Sequence, residues 1–122
     1  MSEDLLFMSA VEAASLIRRG KLSPLEYVEV VLGAIDRSQP MLNAFVTVIS
    51  EEARETARKA EVAVREGQPL GPLHGLPVSI KDLIDVANVR TTHGSHIFAD
   101  NVAAADGVTP ARLRAAGAIL IG

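Results

Sequence analysis

A lysine stands inside an apolar run at residues 74–85, HGLPVSIKDLID, where Val78, Ile80, Leu83 and Ile84 surround Lys81. An ammonium group is costly to remove from water, so lysines are usually placed where solvent reaches them. One reading is a strand-edge lysine whose stem packs on the core while its head reaches out. The other is a deliberately buried amine. Burial disfavours the charged form and can lower a lysine pKa by roughly 3–5 units from about 10.4. An amine brought near neutrality can act as a general base. Ser79 lies two residues before Lys81, which on a strand puts both side chains on one face. A serine beside a lysine base is a recognised nucleophile arrangement. A bare S-x-K is a weak signal, however, and a small residue simply accommodated in a strand also accounts for Ser79. Asp82 falls on the opposite face if the strand continues, so it need not neutralise Lys81.

The remaining polar residues offer less. His74, His93 and His96, with Asp82 or Asp85, could be imagined around a metal, but their spacing matches neither H-E-x-x-H nor another zinc pattern. Gly71 and Gly75 do not form a phosphate-binding loop, since neither G-x-x-x-x-G-K-[ST] nor G-x-G-x-x-G occurs. With no cysteine in the chain, disulfides, thiolate metal sites and a cysteine nucleophile are excluded. Metal binding is therefore not expected from these residues.

The elements that must position Lys81 are legible from punctuation. Ser9 with Glu12, and Ser23-Pro24-Leu25-Glu26, have capping-box spacing, the second with proline at the first helical position. Gly20 offers a stop to the first helix, and Pro40 is expected to end the second. Leu25, Val28, Leu32 and Ile35 recur at helical spacing. Residues 43–48 read as a short strand through Phe45, Val46 and Val48. Ser50 is placed to cap a third helix, EEARETARKAEVAVRE, whose alanines should face the body and whose charges should face water. Glu55–Lys59 and Glu61–Arg65 are acid-first i,i+4 pairs within it. The segment GPLHGLP (71–77) is a rigid turn leading to a buried strand at 78–81. Residues 85–107 are loop-rich, Thr109-Pro110 opens a short helix through Ala116, and residues 118–122 form an apolar final strand. Helices alternating with apolar strands imply an α/β layer architecture with a mixed, mainly parallel sheet.

Length and composition bound the rest. At 122 residues the chain is one domain, without internal repeat, linker or domain boundary. Twelve basic against fifteen acidic residues give a net charge of −3 and no basic run, which argues against a nucleic-acid partner. No apolar run approaches the roughly 18 residues of a membrane helix, and the acidic start MSEDLLFMSA fits no targeting segment. A cytoplasmic protein without a membrane partner is expected. Only about three strands are readable, so the sheet reads as though it stops midway. An uncovered Ile119–Ile121 edge would then promote self-association.

Three stretches, GPLHGLPVSIKDLIDV (71–86), RTTHGS (90–95) and ARLRAAGAILIG (111–122), resemble in order, spacing and type the N-terminal part of the amidase signature enzymes. The two capped helices, LNAFVTV and the charged Ala-rich helix agree with it, so the resemblance covers essentially the whole chain. It implies that residues 1–122 are the N-terminal segment of an amidase signature domain, an incomplete part of that α/β/α fold. The family's Ser–cis-Ser–Lys triad places its base on Lys81. Amide hydrolysis through an acyl-enzyme, with release of ammonia or an amine from a small-molecule amide, follows as the implied activity of the full-length form. The family's two serines and glycine-rich oxyanion loop come after the strand that ends at Gly122, so Ser79 is not assigned as nucleophile and the chain alone is expected to be inactive. Asn88 stands where a glycine is common in the family's turn. Three alternatives stay open: a complete Ser79–Lys81 hydrolase, a non-catalytic module pairing through a sheet edge, and a segment of a glutamine-dependent amidotransferase subunit.

Overall fold

In a computed structural model, which describes residues 2–122, four helices precede a small parallel sheet. Ser9 caps α2 (Ala10–Arg18), its hydroxyl accepting the Glu12 N–H at 3.2 Å, and Gly20 with φ +67° turns the chain out of it. Ser23 caps α3 (Pro24–Leu42) in the same way, accepting the Glu26 N–H at 3.2 Å. Ahead of them lies α1 (Ser2–Leu6), a short helix that the acidic opening of the chain did not announce. Pro40 does not end α3. The helix runs two residues further and stops at Asn43, whose φ of +45° breaks the repeat while its N–H bonds the Gln39 carbonyl at 2.8 Å. Pro40 removes one hydrogen bond from the last turns without stopping the helix, whereas the left-handed Asn43 ends it.

The helix α4 (Ser50–Arg65) keeps the expected division of faces: Ala53, Ala57 and Ala60 are buried, and the charged residues lie toward solvent. Ser50 is its first residue rather than its cap, a position taken by Ile49 with no side-chain hydrogen bond. Glu55 pairs with Lys59 at 3.8 Å, but Glu61 turns away from Arg65 and accepts the Ser23 hydroxyl. Thus Ser23 caps α3 through its acceptor and ties α3 to α4 through its donor.

The sheet consists of β1 (Pro77–Val78) and β2 (Ile119–Leu120), parallel, with Pro77 opposite Ile119 and Val78 opposite Leu120. Backbone bonds extend the pairing at both ends, from Ile119 N–H to Leu76 O at 2.8 Å to Ile80 N–H to Gly122 O at 2.7 Å. Between the strands in sequence, α5 (Val108–Ala115) supplies the crossover that a parallel pair requires. The strand expected at 43–48 is absent. The Phe45 N–H and carbonyl are both taken by the side-chain amide of Gln39, at 3.0 and 2.9 Å, so this backbone is satisfied without a ladder. Only Ile49 reaches the sheet, donating to the Ile121 carbonyl at 3.1 Å.

β2 is covered on both faces, so the side chains of Ile119–Ile121 are not left uncovered as the sequence suggested. Ile119 and Ile121 pack with Val28, Leu32, Ile35, Ala53 and Ala57 of the helices, while Leu120 packs with Val86 and Val89 on the other side. Ile119 is fully buried. Successive strand residues point to opposite faces, so one apolar run can serve two clusters. A third cluster, around Ile17, Leu22, Tyr27 and Leu76, joins α2 to the turn before β1. Among the described residues no helix is long and apolar enough to cross a membrane.

Candidate active site at the end of the parallel pair

The turn at 71–77 sets the direction of β1. Leu73 donates to the Ala116 carbonyl at 2.9 Å and Gly75 to the Gly117 carbonyl at 3.0 Å, which stacks the turn on the connection between α5 and β2. Contact there is close enough to require glycine: a Cβ on Gly117, where φ is +96°, would lie 2.7 Å from the His74 Cα. The His74 ring bonds the Ala60 carbonyl through Nε2 at 2.9 Å, so this histidine docks the turn on α4.

Downstream of Val78 the chain emerges at the carboxyl end of the parallel pair. Lys81 lies there, lining a cleft of about 560 Å³ with Phe45, Thr47, Ile80, Arg90 and the C-terminal Gly122. The structure corrects the sequence reading on one point: Lys81 is exposed, as is Ser79. The buried strand expected at 78–81 pairs only as far as Ile80 and then turns, with the Ile84 N–H closing on the Lys81 carbonyl at 3.0 Å. The described residues therefore do not supply the desolvation that a buried amine needs. Ser79 lines the same cleft but makes no hydrogen bond to Lys81.

The chain just beyond Lys81 is tightly organised. Asp82 accepts the Thr92 N–H on Oδ1 at 2.9 Å and the Thr92 hydroxyl on Oδ2, and its carbonyl accepts the His93 N–H at 2.9 Å. Partial burial pushes the Asp82 carboxyl up, but the two Thr92 hydrogen bonds and the nearby Arg90 and His93 charges outweigh it and hold the carboxyl below the usual carboxylate range. Thr92 to Ser95 form a tight turn with an N–H to carbonyl bond of 3.0 Å and positive φ at both His93 and Gly94. Thr91 is buried and exchanges bonds with Asn101, so the turn rests on a hairpin-like excursion bridged antiparallel at Arg90 and Val102. The Asp82–Thr92 contact escaped sequence reasoning because no fixed spacing announces it.

The histidines are dispersed. His93 lies 3.7 Å from Asp85 and edge-on to Phe98, while His74 serves the turn before β1. Among the described residues no cluster of three His, Cys, Asp or Glu side chains is arranged to hold a metal ion. Asn88 adopts φ +61°, the left-handed conformation that glycine takes most easily and that asparagine tolerates.

Comparison with known proteins agrees with this geometry. The amidase family model matches residues 26–122. The chain is 40% identical over 98% of its length to the A subunit of a glutamyl-tRNA(Gln) amidotransferase from Salinispora tropica, and 37% identical over 98% to an acylamidase from Rhodococcus erythropolis. It spans 24% and 25% of those two proteins, about a quarter of their length. Among solved structures, a fatty acid amide hydrolase superimposes with a TM-score of 0.92 at 26% identity, over 98% of this chain and 21% of that one. The chain thus matches a part of the larger α/β fold of those proteins, and it belongs to the amidase signature family.

Proposed function

We propose that this chain is the segment of an amide hydrolase that carries its general base, Lys81, and that the nucleophile, the bridging serine and the oxyanion donors come from sequence continuing past Gly122. The observation that carries the reading is the position of Lys81 on the cleft at the carboxyl ends of two parallel strands, the edge at which α/β sheets bind ligands. In the assembled site the neutral amine takes a proton through the bridging serine as the nucleophile attacks the amide carbonyl. The tetrahedral oxyanion is held by backbone N–H groups, ammonia or an amine leaves, and water releases the acyl group. The exposure of Lys81 supports the division of labour: the sequence that completes the cleft would also exclude water from the amine.

The substrate is a small-molecule amide, without a metal or organic cofactor, in a cytoplasmic enzyme. A second reading, part of a glutamine-dependent amidotransferase, rests on the 40% identity to a protein of that kind and shares the same first chemical step. Self-association of the isolated segment would have to use backbone edges, since the apolar side chains of β2 are already covered.

The test is ammonia release from a panel of simple amides. It is measured for the 122-residue chain and for a fusion in which Gly122 runs on into the remainder of the acylamidase relative, each with Lys81→Ala in parallel. Turnover is expected only from the fusion, and Lys81→Ala should reduce it roughly 10²–10⁴-fold. Turnover by the short chain that depends on Lys81 would overturn the proposal in favour of Ser79 as nucleophile.

A further inference from the structure

The Lys81 side chain has no hydrogen-bond or ion-pair partner among the described residues, yet the backbone around it is held on every side. Upstream, Ile80 donates to Gly122; at Lys81 itself, the carbonyl accepts from Ile84; downstream, Asp82 is bonded through both carboxylate oxygens and its carbonyl. The Thr92 hydroxyl that donates to Asp82 also accepts the Gly94 N–H at 3.3 Å, which orients its proton toward the carboxylate. Thr92 is only 7% exposed and sits in the turn that the Thr91–Asn101 exchange fixes. An acidic residue beside a basic one would ordinarily invite an ion pair, but both Asp82 oxygens face Thr92.

We propose that Asp82 is a positioning residue for Lys81, clamped by Thr92 so that the backbone leaving β1 aims the amine into the cleft at the strand ends. The inference rests on Lys81 being the base. A general base works only within hydrogen-bond reach of the proton it removes, and misplacement by about 1 Å can cost on the order of 10²-fold in rate. A flexible four-carbon side chain adds freedom of its own, which makes a fixed point of departure the one contribution the backbone can offer.

The experiment uses the longer enzyme that the proposed function calls for, with rates normalised to titrated active sites. Thr92→Val removes the donated hydroxyl at nearly constant volume, and Thr92→Ser restores it. Thr92→Val should lower kcat about 10–100-fold with KM within about twofold, and Thr92→Ser should recover kcat to within about threefold. A merely structural tie between sheet and hairpin would lower the melting temperature and the folded yield while leaving kcat per active site unchanged; that result would overturn the inference. Equal losses in Thr92→Val and Thr92→Ser would overturn it as well. Lys81→Ala, run alongside, separates the two layers. Loss of turnover there with a fully active Thr92→Val refutes the clamp alone, whereas full activity of Lys81→Ala refutes the base and the clamp together.

Discussion

The α3–α4 pair and the segment from Leu76 to Gly107 are held together by different means. Between the helices the contact is a matter of volume: Val28, Leu32 and Ile35 on one side meet Ala53, Ala57 and Ala60 on the other, with Arg54 bridging Glu29 and Glu51 at 2.6 Å each along the exposed rim. In the second region few large side chains are fully buried. Its order comes from polar groups that close onto backbone: Asp82 on Thr92, Asp106 on the Ala87 N–H at 2.7 Å, Asn101 on the Thr91 carbonyl at 2.9 Å. Several apolar side chains in and beside it point to solvent, Ile97 at 88% and Val108 at 70% exposure among them. The helical pair, with β2 packed against it, is thus a scaffold held by volume, and the region carrying Lys81 is a shaped surface whose conformation matters more than its packing.

Substitutions can break that contrast, beginning with Ile119 of β2, which packs on the helices and bonds the Leu76 carbonyl. Ile119→Ala removes a fully buried side chain between the strands and the helices, and should destabilise by about 2–5 kcal/mol in urea unfolding. A loss near zero would mean that the helices do not depend on the sheet. Ser23→Ala should cost about 1–2 kcal/mol, more than Ser9→Ala at about 1 kcal/mol, because Ser23 also donates to Glu61 across the helix pair. Matching losses at the two caps would show that the Glu61 bond contributes nothing.

Asp82 sharpens the other side of the comparison. Its carboxyl is held low in the folded chain, so its contribution is fully present above the ordinary value of about 4 and is lost as pH falls through the depressed folded value. Asp82→Asn should therefore flatten the fall in stability on acidification, read from urea midpoints between about pH 2 and pH 5. An unchanged slope would show that the Thr92 bonds do not favour the ionised form. The smallest effect expected is a gain: Asn88→Gly relieves a left-handed residue and should stabilise by about 0.5 kcal/mol, measured the same way.

Much of the helical scaffold was legible in the sequence because its signals are local. A serine cap and the N–H it accepts lie three residues apart, a left-handed glycine ends the helix it follows, and an alanine stripe declares its face through the helical period. The site was legible in part. GPLHGLPVSIKDLIDV pointed to the family, and of the final run read as a buried strand, 118–122, all but the half-buried Gly122 are buried. What the residues alone could not convey was decided by groups far apart in the chain. Gln39 satisfied the Phe45 backbone and removed a strand, Ser23 drew Glu61 from its helical partner, and Thr92 took the carboxylate beside Lys81. Local chemistry sets the conformations a segment prefers. Only chain closure determines which distant donor meets which acceptor, and therefore that Lys81, surrounded by apolar neighbours in sequence, stands at the open mouth of a cleft in space.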